Sequence, residues 1–272
     1  MAMTMGPYSL PILMTILSCL MAWIPPRSIG FYCNDPNVSH KYTTDTFPSS
    51  LLVFHMLIPI LFIFQYCELG LLQAADPNRS NDDNSKLSWS RAWSLYGRYW
   101  VFTGVAFLTN ETLKTFCPEA RPHFLETCNP DWTKLDCTEN ANHYVTFDIS
   151  WCQDQNTARN GAPKAIYDGM KSFPSGHAQM SCYASIFAIL YLLERYPKNR
   201  RKLWRHFAVV VLIVAAFLAS VTRITDRRHH WWDVAFGSSL GLIEGYISFF
   251  YMRKHILEFD APMSEKAATI KS

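Results

Sequence analysis

The stretch SLLVFHMLIPILFIFQYCELGLL, residues 50–72, decides the fold class of this chain. Its one formal charge is Glu68, and its length matches the roughly 20 residues that an α-helix needs to cross the hydrocarbon core of a bilayer. A stretch of this length and composition predicts a transmembrane helix.

Five further apolar runs of similar length flank this one. They are residues 8–24, 93–109, 178–196, 204–221 and 234–251. Together the six runs predict an all-α integral membrane protein, in which residues 1–272 form a single six-span domain without a separate soluble part. The first run lacks a basic leading segment and a small-residue cleavage site, so we expect a retained helix rather than a signal peptide. No basic cluster is interleaved with aromatic residues, which argues against a nucleic-acid-binding surface.

Basic residues in the short connections predict the orientation of the spans. The connection between the fourth and fifth runs carries six of them: Arg195, Lys198, Arg200, Arg201, Lys202 and Arg205. Arg253 and Lys254 end the sixth run on the same side. Because short cytoplasmic loops are enriched in Lys and Arg, we predict that this side and the tail, residues 252–272, are cytoplasmic. Three arginines in the opposite short loop, at positions 223, 227 and 228, weaken this bias without reversing it.

Three polar fragments carry groups suited to phosphate chemistry. They read KTFCPEARP at residues 114–122, PSGH at residues 174–177 and TRITDRRHHWWD at residues 222–233. With six spans, the fragments follow the third, precede the fourth and join the fifth to the sixth, so all three emerge on one face of the membrane. The predicted orientation makes this face extracellular or lumenal, with an active site formed by loops and helix ends.

These fragments resemble the three signature motifs of the type 2 phosphatidic acid phosphatase superfamily, and they are most similar to its lipid phosphate phosphatase (phospholipid phosphatase) branch. The likeness continues into RPHFLETCNPDW from Arg121, SFPSGHAQMSCY from Ser172 and RSIGFYCNDP from Arg27, and so covers most of the chain. One position departs from the motifs, Thr222, where serine is usual. Threonine keeps the hydroxyl group, so the resemblance still implies an active enzyme.

Hydrolysis of a phosphomonoester needs positive charge around the phosphoryl oxygens, a nucleophile in line with the leaving group, and a proton for the departing oxygen. Arg121 and Arg223 can each hold non-bridging oxygens with two hydrogen bonds, and Lys114 adds a third positive charge. Ser175 and Gly176 begin the fourth span, where backbone N–H groups can face an anion. Because protein side chains supply the positive charge, we expect neither a metal nor another cofactor.

The resemblance implies that His229 is the nucleophile and that the reaction passes through a phosphohistidine. If His229 and Asp233 form the first turn of the sixth span, they share a helical face, and Asp233 can hold one ring nitrogen while the other attacks phosphorus. His177 would protonate the leaving alkoxide and later activate water. His230 can also approach Asp233, but the spacing of His229 from Arg223 and Asp233 matches the family.

The preferred interpretation is a membrane phosphatase that removes phosphate from lipid monoesters such as phosphatidate, lysophosphatidate, ceramide 1-phosphate or sphingosine 1-phosphate, with a part in phospholipid metabolism and lipid signalling. These substrates are implied by the resemblance. The alternatives are a phosphatase for a soluble or polyprenyl phosphate, and a phosphatase-like protein that binds lipid phosphate without turnover. The expected partners are lipid phosphates and the membrane, with a homo-oligomer left open. We predict the plasma membrane, with the Golgi or the endoplasmic reticulum as alternatives.

Cysteines and sequons bear on the same topology. Five of the eight cysteines would lie on the motif face, where an oxidising compartment would let them pair: Cys33, Cys117, Cys128, Cys137 and Cys152. Since five is odd, one thiol is left over or buried, and the connectivity stays open. Among the sequons at Asn37, Asn78 and Asn110, the topology favours Asn37 as the glycosylated residue.

Two carboxylates within the predicted spans are unusual, because charge is costly inside a bilayer. We expect Glu68 to reach from the cytoplasmic end of its span toward the interface, and Glu244 to face the other helices. Gly237, Gly241 and Gly245 recur every four residues, a pattern that predicts the close approach of another helix.

Overall fold

The computed structural model describes residues 9–26, 29–135, 137, 143–146, 149–153, 162–197 and 200–258. The described chain is mostly helical, with the α-helices α1 (Ser9–Trp23), α2 (Ser49–Ala75), α3 (Asn81–Phe116), α4 (Phe124–Cys128), α5 (Ala162–Gly169), α6 (Gly176–Arg195), α7 (Lys202–Thr225) and α8 (Trp231–Glu258). An antiparallel pair of short strands, β1 (Gly30–Tyr32) and β2 (Tyr144–Thr146), was not predicted from the sequence. Lys198, the start of the RSIGFYCNDP stretch and the tail beyond Glu258 lie outside the described residues.

Each predicted apolar run falls, with at most one residue outside at either end, within one of the long helices α1, α2, α3, α6, α7 and α8, most of which extend further than the run. Among the described residues, α2, α6 and α7 are long and apolar enough to cross a membrane, and α1 contributes a shorter apolar helix over Ile12–Trp23. The helix α3 is long enough, but it begins with the polar sequence NDDNSK, and α8 carries Asp233 and Glu244. The fold is therefore that of a helical membrane protein, and six spans stay a prediction.

The helix α3 extends well beyond its predicted span. Its 36 residues correspond to a rod of about 54 Å, against about 30 Å for the hydrocarbon core of a bilayer. The sequence predicts that the third span ends at residue 109 and is followed by a loop over residues 110–173 on the motif face. The helix instead continues to Phe116, and Asn110 and Thr115 are buried and hydrogen-bonded to Gln179 and Glu111. The extra turns carry Lys114 past the predicted span.

The helix α6 lies at the centre of the helical core, with α2, α7 and α8 packed against it, while α1 and α2 pack against α3. Large aromatic side chains fill the core, and the rings of Phe64 and Tyr191 lie 4.6 Å apart between their centroids. The backbones of α6 and α8 are in direct contact, since a Cβ atom added at Gly241 in α8 would lie only 2.0 Å from the carbonyl oxygen of Gln179 in α6. The glycine pattern of α8 therefore marks a helix contact, as predicted.

The two buried carboxylates have different surroundings. Glu68 is fully buried and accepts hydrogen bonds from Arg195 at 2.8 Å and from the Tyr191 hydroxyl at 2.9 Å, with Arg91 at 3.4 Å. The expectation that Glu68 reaches the interface is wrong, because its counter-charges come to it inside the bundle. Glu244 does face a neighbouring helix, since its Oε2 accepts a hydrogen bond from Gln179 on α6 at 2.6 Å.

A second, smaller core covers the motif end of the helices. It combines residues from the α1–α2 connection with residues from the α3–α6 connection: Phe31, Val38, Ala120, Phe124, Leu135, Val145, Ile166 and Met170. Two disulfides, Cys33–Cys137 and Cys128–Cys152, cross-link these segments. Cys117 is exposed and unpaired, so cysteine pairing with one thiol left over is confirmed. Asn37 is exposed on this small core, whereas Asn110 is fully buried.

Candidate active site

A cavity of about 510 Å³ lies where α3 and α7 end and α6 begins, next to the turn that precedes α8. Six of the eight predicted site residues line it: Lys114, Arg121, Gly176, His177, Arg223 and His229. Ser175 and Asp233 are in contact beside it, because the Ser175 N–H donates to the Asp233 carbonyl oxygen at 3.1 Å. The three sequence fragments therefore meet at one place, although the Ser175 N–H expected to face an anion already has a partner.

Helix ends place Lys114 against the start of α6. Lys114 lies in the last turn of α3, and its Nζ donates to Glu111 Oε1 one turn earlier, at 3.0 Å. A Cβ atom at position 176 would lie 3.3 Å from Lys114 Nζ and 3.0 Å from Asn110 Oδ1. Glycine at position 176 therefore lets the lysine charge come close to the N-terminus of α6.

Two of the arginines that line the cavity, Arg121 and Arg223, are each held along one edge of the guanidinium group. Arg121 donates to Asp168 Oδ1 at 2.9 Å. Arg223, which is only 2% exposed, donates to Asp45 Oδ1 at 3.0 Å and to the Phe47 carbonyl oxygen at 2.9 Å. These contacts fix the orientation of both groups without using all of their donors.

Several buried polar atoms at the site have no hydrogen-bond partner within the described part of the chain. They are Nε of Arg121, Nε of Arg223, Oγ of Ser175 and Nε2 of His177. An unsatisfied buried donor costs about 1–3 kcal/mol, so such groups rarely gather in one place without a ligand to bind. The two guanidinium N–H groups and the Ser175 hydroxyl can donate to an anion that presents several oxygen atoms, whereas His177 Nε2 donates or accepts according to its protonation.

The ring of His229 is held by a peptide carbonyl group. Its Nδ1 lies 2.7 Å from the Ser172 carbonyl oxygen and 3.7 Å from Asp233 Oδ2. Since a carbonyl oxygen can only accept, Nδ1 carries the hydrogen of the neutral ring and Nε2 is the unprotonated nitrogen. Asp233 lies within ion-pair distance of the ring but beyond the usual length of a hydrogen bond, since α8 begins at Trp231 and His229 precedes the helix rather than lying in its first turn.

Burial keeps the imidazole of His229 neutral. Desolvation lowers the pKa of His229 to about 4, and the nearby charges of Arg121 and Lys114 lower it as well, while the hydrogen-bonding influence of Asp233 opposes them. At neutral pH the ring is therefore unprotonated at Nε2, as a nucleophile must be.

The neighbouring residues of the third fragment have different surroundings. His230 lines a separate pocket, where its Nε2 lies 2.9 Å from the Ala120 carbonyl oxygen and its ring stacks on Trp232 at 4.5 Å. Arg228 is buried in the cavity that His229 lines, whereas Arg227 is exposed. The Thr222 hydroxyl donates to the carbonyl oxygen of Leu218, within its own helix, at 2.7 Å. The serine-to-threonine difference therefore falls on a group bonded within α7.

Sequence reasoning missed a contribution from the connection between α1 and α2. Asp45 from this connection pairs with both Arg223 and Arg228, the second at 2.9 Å. Tyr42 accepts a hydrogen bond from Arg228 at 2.6 Å, and its ring lies 4.2 Å below the guanidinium carbon. The polar sequence KYTTDT at residues 41–46 was the only signal, and it contains no motif.

The cavity is lined by apolar side chains as well as by charged ones. The apolar ones come from α2, α3 and α6: Leu52, Val53, Met56, Leu57, Trp100, Phe107 and Met180. The cations and the apolar side chains thus belong to one continuous space. A ligand that fills this space would combine an anionic group with an apolar one.

Fold and site together define a helical membrane protein whose site is suited to a phosphate group. Comparison with known proteins identifies its family: residues 95–256 match the PAP2 superfamily. The chain belongs to this superfamily.

Its relatives include phospholipid phosphatase 1 of Mus musculus, which is 28% identical over 235 residues that cover 85% of this chain and 78% of the relative. Phospholipid phosphatase 2 of Rattus norvegicus is 24% identical over 250 residues, which cover 89% and 85%. No solved structure is significantly similar to the chain.

Proposed function

We propose that this protein hydrolyses lipid phosphomonoesters at the membrane surface through a phosphohistidine at His229, without a metal ion. The observation that carries the proposal is the single cavity lined both by Lys114, Arg121 and Arg223 and by the apolar side chains of α2 and α3. A lipid monophosphate has the matching distribution of charge and apolar surface. The names of the relatives, phospholipid phosphatases, support the same substrate class.

In the proposed first step, Arg121, Arg223 and Lys114 hold the non-bridging oxygens of the phosphoryl group. The lone pair of His229 Nε2 forms a bond to phosphorus while the bond from phosphorus to the alkoxide oxygen breaks. His177 gives its proton to the departing oxygen, so the lipid leaves as an alcohol. Its unpartnered, buried Nε2 is the ring atom available for this transfer.

In the second step, water attacks the phosphohistidine. His177 Nε2 accepts a proton from the water, the new bond from oxygen to phosphorus forms, and the bond from His229 Nε2 to phosphorus breaks. Inorganic phosphate leaves and both rings return to their starting protonation states. The three cations supply the charge stabilisation that a metal ion provides in other phosphatases, which is why we propose metal independence.

The proposal includes an extracellular or lumenal active site and six spans. The charge bias of the short connections supports this orientation, and Asn37 is exposed on the small core that covers the motif end. An anchored lipid could then reach the site laterally, with its phosphate at the depth of the headgroups. Phosphatidate, lysophosphatidate, ceramide 1-phosphate and sphingosine 1-phosphate all have this arrangement.

Phosphate release by the purified protein in detergent micelles tests the activity. We expect release from these four lipids in excess EDTA, inhibition by vanadate, and little release from glycerol 3-phosphate, which has no apolar chain. Full loss in EDTA with recovery on adding magnesium would refute metal independence. Faster release from glycerol 3-phosphate than from the lipids would favour a soluble substrate, and binding without release would favour a protein that is not an enzyme.

Trapping with labelled phosphate tests the intermediate. We expect label on His229, loss of label and turnover in His229→Ala, and both retained in the matched control His230→Ala, whose side chain lines a different pocket. Label on His230, or no label in a fully active enzyme, would contradict the assignment of the nucleophile.

Epitope accessibility tests the orientation. A tag added after Ser272 should be detected only in permeabilised cells, and glycosidase should shift the mobility of the wild type but not of Asn37→Gln. Detection of the tag on intact cells would reverse the proposed topology.

A further inference from the structure

Ser172, two residues before the second fragment, is joined to the first and third fragments by three separate hydrogen bonds. Its N–H donates to the Glu119 carbonyl oxygen at 2.9 Å, its hydroxyl donates to Asp233 Oδ2 at 2.6 Å, and its carbonyl oxygen accepts from His229 Nδ1 at 2.7 Å. The residue is fully buried, so no solvent competes for these bonds. One residue outside the predicted site set thus contacts the first fragment and both residues of the expected His–Asp pair.

Asp233 is in a better position to act on Ser172 than on His229. Its Oδ2 accepts from the Ser172 hydroxyl and from the His230 N–H, at 2.6 and 2.9 Å. The same oxygen is 3.7 Å from His229 Nδ1, beyond the usual range of a hydrogen bond. The carboxylate therefore fixes the peptide segments on both sides of the imidazole, while the carbonyl group of Ser172 fixes the ring.

We propose that Ser172 is a positioning residue for the nucleophile, and that Asp233 orients His229 mainly through the Ser172 hydroxyl. This inference rests on the proposed function, in which His229 attacks phosphorus. With the hydroxyl bond in place, Asp233 stays turned toward Ser172 and the imidazole stays on the carbonyl oxygen. The unprotonated Nε2 is then held in one direction.

Loss of the Ser172 hydroxyl changes which of two acceptors, the Ser172 carbonyl oxygen or the Asp233 carboxylate, holds the Nδ1 hydrogen of His229. The Asp233 oxygen would lose one donor and become a stronger acceptor for the Nδ1 hydrogen, so the ring would turn from the Ser172 carbonyl toward the carboxylate. A carboxylate partner also stabilises the protonated imidazole more than a carbonyl partner does. Both Nε2 alignment and the basicity of the ring should therefore change, although neither backbone contact of residue 172 is removed.

Titratable groups from several elements surround this ring and its neighbour Asp233, and they must be kept constant in the test. They are Lys114 from α3, Glu119 and Arg121 from the following connection, Asp168 from α5, His177 from α6 and Asp233 from α8. Ser172→Ala alters none of these charges. A shifted pH profile in this variant would therefore report on how Asp233 and His229 are oriented.

The first test compares Ser172→Ala with wild type and with the control Ser185→Ala. Ser185 is another buried serine, whose hydroxyl donates to the Leu212 carbonyl oxygen in the helical core. Because hydrogen bonds to charged groups are among the stronger ones, we expect Ser172→Ala to lower kcat roughly 10- to 100-fold, with KM unchanged and the acid limb of the pH profile moved to higher pH. Ser185→Ala should keep the wild-type acid limb.

Conservative variants separate positioning from folding. Ser172→Thr keeps the hydroxyl donor and should recover most of kcat, and Ser172→Cys, with its weak S–H donor, should fall between threonine and alanine. If Ser172→Ala does not fold, the other two variants still test the proposal. We then expect a higher kcat in Ser172→Thr than in Ser172→Cys, and an acid limb closer to that of the wild type. Equal kcat and equal pH profiles in all folded variants would overturn the proposal.

A double-mutant cycle tests whether Asp233 acts through this hydroxyl. An amide oxygen in Asp233→Asn can still accept from Ser172, so this variant should keep more activity than Asp233→Ala. Ser172→Ala combined with Asp233→Asn should be about as slow as the slower single variant, since both changes affect one bond. Fully additive effects would show that Asp233 acts independently and would overturn the inference.

The label experiment distinguishes this inference from the proposed function. If wild-type protein carries no phosphate on His229, the proposed function fails. If wild type is labelled there and Ser172→Ala is labelled at the same rate, only the positioning role of Ser172 fails.

Discussion

Adding one methyl group in Gly241→Ala should disable the enzyme from within the helical core. Gly241 lies in α8, and a Cβ atom there would be 2.0 Å from the carbonyl oxygen, 2.8 Å from the carbonyl carbon and 3.0 Å from the Cα of Gln179 in α6. These are backbone atoms in the first turn of α6, so no side-chain rotation can relieve the overlap. The two helices themselves must move apart.

The size of this movement follows from the contact distances. To lengthen the closest contact from 2.0 Å to an ordinary 3.4 Å, α6 and α8 must separate locally by about 1.4 Å. Overpacking of this kind costs roughly 1–3 kcal/mol of unfolding free energy. The helix α6 carries His177 and α8 carries Asp233 next to His229, and a misplacement of about 1 Å between catalytic groups can slow a reaction roughly 100-fold.

The assay combines thermal unfolding in detergent with kcat for a lipid monophosphate. We expect Gly241→Ala to unfold at a lower temperature and to lose about two orders of magnitude in kcat in the protein that stays folded. Ser239→Leu is the control, because it adds more bulk to the same helix at an exposed position. Wild-type stability and turnover in Gly241→Ala would refute the close contact between α6 and α8.

Three further predictions concern different parts of the molecule. Glu68→Gln should lower the unfolding free energy by about 3–5 kcal/mol, because it leaves the buried Arg195 without a full counter-charge, while kcat per folded molecule stays unchanged. Breaking the disulfide with Cys33→Ser or Cys137→Ser should cost about 2–5 kcal/mol, measured by thermal unfolding with and without reductant. The rate of phosphoenzyme formation should persist from neutral pH toward acid and fall only as His229 is protonated near pH 4.

Each of these has an outcome that would contradict it. Unchanged stability of Glu68→Gln would show that the carboxylate is hydrated rather than paired with arginine. Equal melting of the serine variants and wild type, before reduction, would show that the disulfide does not constrain the chain. An acid limb at about 6.5, the ordinary pKa of histidine, would show that the ring is exposed to solvent at the moment of reaction.

The positions of the helices and the site residues could be predicted from local sequence. Apolar runs as long as a bilayer is thick can only be accommodated as helices, because an unpaired backbone is too costly in lipid. Because successive spans cross the membrane in opposite directions, the ends of α3 and α7 lie on the same face as the starts of α6 and α8. For this reason Lys114, Arg223 and His229 could be assigned to one site without any tertiary contact.

The partners of individual polar groups could not be predicted in this way. Sequence spacing placed Asp233 beside His229, but α8 begins only at Trp231, so the ring binds the Ser172 carbonyl oxygen instead. Glu68 looked like an interfacial residue until Arg195 and Tyr191 were found beside it. No pattern in the α1–α2 connection indicated that Asp45 would bind two arginines of the site.

The sequence by itself determined the helical membrane fold, the family and the chemical inventory of the site, because these depend on composition, run length and motif spacing. The tertiary structure alone decided which oxygen holds the His229 ring and which charges neutralise the buried arginines. Hydrogen bonds and ion pairs depend on distances of a few tenths of an ångström between residues far apart in the chain. Such distances are set by how closely α6 and α8 pack and by how the smaller core closes over them, and no local pattern encodes them.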